Sequence, residues 1–454
     1  MTEALSIGAR LDRLPSCWPV WRLIVLISLG GLFEFYDLMM TAYIPPGLVE
    51  AGVFHEGVRG LFGLTDQASF AAATFMGLFI GVLLFAQVAD RFGRRAIFTG
   101  SLIWYAAATA VMAMQSSAQG IDAWRLIAGV GIGVELVTID AYVSELSPPP
   151  MRGRAFAVNQ SIQFLAVPIV ALACWLLVPT SPLGIAGWRW VMGAGAAGAL
   201  VVWVLRAGIP ESPRWLAAHG RLAEADEIVR RLEAETGIAA PPFVAETKAP
   251  ARPGRLSEIF RAPYGRRTAL MAAFNILQAV GFYGFGNWAP SLIAAQGHGV
   301  TKSLQYAFII AAAYPVSPLI CAAIADRFER KHLIAAAAIG TAVFGLAFAA
   351  QSAAVALIAL GVAITFCNNL LSFAYHAYQA ELFPTRIRAM AVGFVYSWSR
   401  LSTVFSSFII AALLGAFGSG GVFAFIAMAM IAAVIVVTAF GPRTGGRSLE
   451  EVSA

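Results

Sequence analysis

Apolar residues run through this chain in long blocks, not in the alternation of a half-buried strand or the narrow stripe of a surface helix. Blocks long enough to cross the hydrocarbon of a bilayer as helices, roughly 20 residues each, cover 21–44, 66–88, 96–115, 122–144, 155–178, 188–208, 267–291, 303–325, 332–350, 353–378, 389–415 and 420–440. Six precede and six follow a polar stretch at 209–266. The pattern predicts an all-α membrane protein of twelve transmembrane helices, built as bundles 1–208 and 267–454 around a central cavity, with 209–266 as a cytoplasmic linker. Within the linker, Pro213 to Thr236 is rich in Ala, Glu, Leu and Arg and ends at Gly237, which reads as one or two short surface helices. Beyond it Pro241, Pro242, Pro250 and Pro253, with Pro263 close behind, read as a flexible hinge.

The halves echo each other. Ala89-Asp90-Arg91-Phe92 returns as Ala325-Asp326-Arg327-Phe328, and Glu145-Leu146, Pro148 and Arg152 return as Glu381-Leu382, Pro384 and Arg388. The offsets agree, since 326 − 90 and 381 − 145 both give 236. A constant offset across separated motifs indicates two structural repeats, whose mid-membrane interface is where a solute can bind and be passed across.

Composition changes the picture in one direction only. Charged residues make up 12% and hydrophobic residues 59%, about half the charge content of a soluble domain. The net charge of +6 reflects topology, not nucleic-acid binding, because Lys and Arg are spread over loops such as 91–95, 152–154 and 327–331. With both termini cytoplasmic, only Arg59, Arg125, Arg189 and Lys302 of the 31 basic residues lie in or beside outward connections, and Arg400 lies mid-span. That is the positive-inside bias. The first span is too long and too charged for a cleaved secretion signal, and no small-residue cleavage site follows it. Cys17, Cys174, Cys321 and Cys367 lack metal-ligand spacing and read as core residues, so no metal or other cofactor is expected. The expected setting is multi-pass, in the cell inner (plasma) membrane, as a monomer whose partners are lipid, a small molecule and a proton.

Ionisable residues inside the apolar blocks are the functional candidates, because a charge at mid-bilayer costs at least about 2.5–3.5 kcal/mol on insertion scales. Glu34 and Asp37 lie three residues apart in the first span, on neighbouring helix faces. Two carboxylates so close in low dielectric resist joint ionisation, as proton coupling requires; alternatively one of them pairs with a basic residue on another helix. Glu135, mid-span 4, is a third carboxylate candidate, and Gly129, Gly131 and Gly133 beside it leave a face that another helix can approach closely. Arg400, near the centre of span 11, stays charged in almost any setting and must find an anion. That anion is Asp37, Glu34, Glu135 or a substrate carboxylate, and exchange between them would couple binding to proton release. Gln160, Gln163, Gln278, Tyr283, Asn287, Asn368, Asn369 and His376 complete the list of substrate contacts, each alternatively an interhelical hydrogen bond or, for His376, a packing residue.

The echoed motifs suggest gating. Asp90 ends the second span, where an acid opposes its own helix dipole and needs a compensating partner. Asp90, Arg91, Arg94, Arg95, Glu145 and Arg152, with Asp326, Arg327, Arg330, Glu381 and Arg388 in the repeat, are expected to latch the inward face and release it.

At these residues the chain resembles the major facilitator superfamily of transporters over essentially its whole length. The resemblance is carried by Gly81 through Asp90-Arg91-Phe92-Gly93-Arg94-Arg95, by its copy ending Asp326-Arg327-Phe328-Glu329-Arg330-Lys331, and by two stretches similar to sugar-porter signatures. These are Pro210-Glu211-Ser212-Pro213-Arg214-Trp215-Leu216 and Arg443-Thr444-Gly445-Gly446-Arg447-Ser448-Leu449-Glu450-Glu451. Gln160 and Gln278 match sugar-contacting glutamines of sugar porters. Elsewhere the pattern departs: Tyr283 stands where those porters have an asparagine, Asn368 to His376 replaces a span-10 motif containing tryptophan, and Glu329 replaces Gly93 in the copied turn. Glu34-Phe35-Tyr36-Asp37 and Ser399-Arg400-Leu401 look more like the superfamily's organic-acid:proton symporters. The resemblance therefore implies secondary active transport by rocking of the two halves, with proton-coupled uptake of a small organic anion favoured over a sugar or polyol. Proton-exchange efflux ranks lower, since 155–178 contains no glycine where such carriers have a glycine-rich motif. A membrane enzyme or a solute sensor finds no supporting motif.

Overall fold

Proline placement decides where several of the helices break. The computed structural model of the chain describes residues 6–55, 65–205, 208–237, 256–325 and 328–443. In the first half the helices are α1 (Ile7–Asp12), α2 (Trp18–Tyr43), α3 (Pro45–Glu50), α4 (Asp66–Phe92), α5 (Arg94–Met112), α6 (Ala118–Leu146), α7 (Arg152–Phe164), α8 (Ala166–Leu177) and α9 (Gly187–Leu205). Then come α10 (Pro213–Ala218) and α11 (Leu222–Thr236). The second half holds α12 (Tyr264–Gly286), α13 (Ala289–Ala294), α14 (Val300–Ala311), α15 (Ser317–Ala325), α16 (Arg330–Ala349), α17 (Ala354–Glu381) and α18 (Thr385–Phe440). α7, α12 and α14 end at Phe164, Gly286 and Ala311, in each case four residues before Pro168, Pro290 or Pro315. A proline cannot donate to the carbonyl four residues back and its ring collides with it, so a helix stops or bends there.

Eight helical stretches are individually long and apolar enough to cross a membrane, and the last, Met390–Phe440, bends at Gly418 (φ 64°, ψ −161°) into two crossings. Adding α5, α6 and the broken α14–α15 span gives the twelve crossings that the apolar blocks predict. α4 and α6 touch backbone to backbone. A Cβ at Gly77 would stand 2.4 Å from the Leu126 carbonyl oxygen, and one at Gly133 would stand 2.4 Å from that of Leu78. Only hydrogen fits there, which explains the small-residue face around Gly129 and Gly133.

The linker is less free than its composition suggests. Over 208–237 it is docked on the first half: Trp215, Leu216, Val229 and Leu232 share an apolar cluster with Ile7 and Leu11 of α1 and Ile24 and Ile27 of α2. Arg10, fully buried, grips Glu233 through Nε (3.1 Å) and Nη2 (2.6 Å) and reaches Asp226 at 2.5 Å. Glu233, the main cause, holds the guanidinium above its ordinary range. The proline-rich part of the expected hinge, 238–255, lies outside the described residues.

Candidate functional site

A cavity of about 390 Å³ lies between the halves, walled by α2, α7, α12, α17 and α18. It reaches from Tyr283 at mid-span to Gly153 and Ala380 at the end carrying the basic loops, and Gly153 is exposed. At the opposite end the halves are closed against each other. Gln67 of α4 donates to Ser291 of α13 at 2.8 Å and Trp175 stacks on Phe308 with centroids 5.7 Å apart, while at mid-span Phe75 meets Tyr283 edge-on at 4.7 Å. The structure is therefore open towards the end that the charge bias assigns to the cytoplasm.

Five of the expected substrate contacts, Gln160, Gln163, Gln278, Tyr283 and His376, line this cavity. The His376 Nδ1–H donates to the Ser372 carbonyl at 2.7 Å, and its ring lies 4.2 Å from that of Tyr375 and 5.1 Å from that of Tyr396. Asn368 is elsewhere: it accepts from Thr341 at 3.1 Å and donates to the Gly281 carbonyl at 3.4 Å, tying α16, α17 and α12 together. Its expected role as a substrate contact gives way to an interhelical bond. Asn287 and Asn369 are buried outside the cavity wall, with both side-chain polar atoms of each unpartnered among the described residues.

Arg400 stands behind the wall, 2% exposed. Its Nη1 donates to the Tyr283 hydroxyl and its Nη2 to the Tyr396 hydroxyl at 3.0 Å, while Nε has no partner among the described residues. Its guanidinium carbon also lies 5.3 Å and 4.8 Å from the centroids of the same two rings, within cation–π range. None of the described carboxylates comes within ion-pair distance of it. The expected exchange of Arg400 with Asp37, Glu34 or Glu135 is therefore not what this structure holds.

Asp37 has another partner. Arg125 Nη1 meets its Oδ2 at 2.7 Å, and Thr109 donates to its Oδ1 at 2.7 Å. The same guanidinium donates to the Asp37 carbonyl and to Thr41, both at 2.7 Å, and to Thr74 at 2.8 Å. Asp37 and Arg125 are 1% and 0% exposed, so α2, α4, α5 and α6 meet at a dry ion pair. Both oxygens of Asp37 are thus engaged by α5 and α6, and the expected sharing of a proton with Glu34 is replaced by this pair. Glu34 and Glu135 are also fully buried in the first half, with the Ser101 hydroxyl 3.5 Å from Glu135. None of the three carboxylates lines the cavity.

The echoed charges form matching bonds inside each half. Arg94–Glu145 (3.2 Å) and Arg330–Glu381 (3.5 Å) are related by 236 positions, as are Arg152 to the Ser147 carbonyl (3.3 Å) and Arg388 to the Phe383 carbonyl (3.1 Å). Where the copies differ, the reason is local. Gly93 has φ 96°, and its missing Cβ leaves room for Glu211, whose carboxylate accepts from the Arg94 (3.0 Å) and Arg95 (3.2 Å) amides at the start of α5. Glu329 has φ −58°, so the copied turn takes another shape. The side chains of Asp90 and Arg91, and Asp326 and Arg327 altogether, lie outside the described residues.

Residues 23–454 match the family model described as "Sugar (and other) transporter". The chain is 30% identical to the inner membrane metabolite transport protein YdjE of Escherichia coli (strain K12), over 100% of this chain and 99% of that one. It is 25% identical to the niacin transporter NiaP of Acinetobacter baylyi, over 99% of this chain and 100% of the other. Among solved structures, the xylose transporter XylE from E. coli, in a partially occluded inward open conformation, matches with a TM-score of 0.74 at 21% identity, covering 94% of this chain and 99% of that one.

Proposed function

The chain belongs to the sugar (and other) transporter family of the major facilitator superfamily and is a metabolite transporter of the membrane; on that premise we propose that it takes up a small organic anion together with protons. The observation that carries the anion is Arg400: a guanidinium buried at mid-bilayer, behind the cavity wall, whose hydrogen bonds go to two neutral phenols. A buried cation without a paired anion is costly, and a substrate carboxylate arriving at Tyr283 and Tyr396 compensates it. Niacin, the solute in NiaP's name, is itself a carboxylate at neutral pH.

Coupling falls to Asp37. In this cycle the Asp37 carboxylate clamped by Arg125 stands for the proton-released form, with the cavity open to the basic side. Protonation from the other side removes the charge that Arg125 holds and loosens the α2–α6 tie. The proton neutralises the Asp37 carboxylate while the substrate anion compensates Arg400, so proton and anion are taken up at separate sites. Glu34 and Glu135 remain further candidates for the proton. The repeated bonds at Arg94–Glu145 and Arg330–Glu381 serve as the frames of the inner gate, and both termini face the cytoplasm of the inner membrane.

The three glutamines in the cavity favour a second reading, a neutral sugar or polyol, because amides pair well with hydroxyls. Purified protein in proteoliposomes separates the two. Under an inward proton gradient, labelled carboxylates should accumulate and labelled xylose should not; accumulation of the sugar alone would overturn the anion reading.

A further inference from the structure

Aromatic rings dominate the cavity. Nine of its 17 lining residues carry one, against four with a side-chain amide. They come from both halves, with Phe35 and Phe164 facing Phe282, Tyr283, Tyr375 and Tyr396 across about 390 Å³, near the lower end of the roughly 300–1,000 Å³ of small-molecule sites. A polyhydroxylated solute can set only its C–H faces against such walls. A flat ring gains offset and edge-to-face contacts, each worth about 0.5–1.5 kcal/mol beyond area burial.

The polar side of the wall is equally selective. Tyr283 and Tyr396 accept from Arg400, and Tyr375 accepts from Gln278 Nε2 at 3.4 Å. With these oxygens acting as acceptors, what the phenols offer the cavity is their O–H protons. A donor backed by a guanidinium suits a carboxylate, since hydrogen bonds to ionised acceptors are the strong ones.

Resting on the organic-anion reading above, we propose that the substrate is a planar aromatic or heteroaromatic carboxylate of one-ring size. Its ring sits among the phenylalanine and tyrosine faces, and its carboxylate sits on the hydroxyls of Tyr283 and Tyr396. Arg400 polarises those hydroxyls from behind and acts as a positioning residue.

Binding to the full-length protein in detergent tests this with four probes: benzoate, cyclohexanecarboxylate, benzamide and xylose. Benzoate should bind roughly tenfold tighter than cyclohexanecarboxylate, which has its charge without its flat ring, and benzamide and xylose should bind more weakly still. Equal affinity for the two acids overturns the ring and leaves the anion reading standing. Binding of benzamide or xylose without binding of benzoate overturns the anion reading itself, and so does the absence of saturable binding by either acid. The Tyr283→Phe/Tyr396→Phe pair keeps both rings and removes both donors. It should weaken benzoate roughly tenfold or more and leave benzamide nearly unchanged; an equal loss for both probes would reduce the tyrosines to packing and overturn the assignment.

Discussion

Asp37 and Arg125 are joined twice, since the guanidinium reaches both the Asp37 carboxylate and the Asp37 main-chain carbonyl at 2.7 Å. The side-chain bond depends on the carboxylate; the main-chain bond does not. Arg125→Ala strands a buried carboxylate and should cost about 3–5 kcal/mol, seen as a large drop in thermal unfolding temperature. Asp37→Asn keeps an acceptor for Arg125 and should cost less. In proteoliposomes the Asn variant should lose gradient-driven accumulation and retain solute exchange that no longer varies with pH. Accumulation at the wild-type level in that variant would falsify the coupling role of Asp37.

Arg400 makes its claim through geometry that lysine cannot reproduce. Its two terminal nitrogens serve two phenols at once, whereas an ammonium is a point donor on a flexible stem. Arg400→Ala should weaken binding of carboxylate probes by about 1.5–3 kcal/mol, and Arg400→Lys should recover only part of that. Titration calorimetry on the purified variants measures it, and unchanged affinity in Arg400→Ala would remove the anion from the site.

The spans were legible because bilayer thickness imposes length, a signal that needs no partner: 21–44 is observed as Trp18–Tyr43 and 353–378 as Ala354–Glu381. The repeat offset also anticipated which charges have equivalent bonds in the two halves. Partner choice was harder. The charge bias places Arg125 beside an outward connection, although it lies inside the 122–144 block, and adding 236 to it gives Gly361. It therefore has no charged counterpart in the repeat, and neither does Arg400, whose counterpart is Phe164, so the sequence marks both as charges that the two halves do not share. Tyr396 lies four residues before Arg400 in the same span and so on the same helix face, whereas only folding brings Tyr283, 117 positions away, to it. The linker misled for a related reason, because the acids that bind Arg10 lie more than 200 positions away.

The α4–α6 contact gives a stability prediction independent of transport. Gly133→Ala puts a Cβ 2.4 Å from the Leu78 carbonyl oxygen and 2.9 Å from its Cα, and rigid backbone on both sides cannot yield cheaply. Destabilisation of about 1–3 kcal/mol or more is expected. Gly100→Ala on the exposed side of α5 meets nothing within 4 Å and should be neutral or stabilise by about 0.5–1 kcal/mol. Thermal unfolding of the two variants side by side distinguishes close approach from a general intolerance of bulk.

The docked linker predicts a selective loosening. Glu233 is fully buried and bonded by Arg10 and by Arg13 at 2.8 Å. Removing Arg10 leaves most of that charge uncompensated, so α1 and α11 should separate before the membrane bundle is affected. Arg10→Ala should raise amide hydrogen exchange across 222–236 by one to two orders of magnitude and expose the segment to limited proteolysis, while exchange in α4 and α6 stays near wild type. Exchange in 222–236 unchanged from wild type would show that Ile7, Leu11, Val229 and Leu232 hold the helices together without the ion pair. The double variant Arg10→Met/Glu233→Leu, which replaces the pair with apolar volume, should restore protection, because a buried pair contributes little beyond what packing supplies in its place.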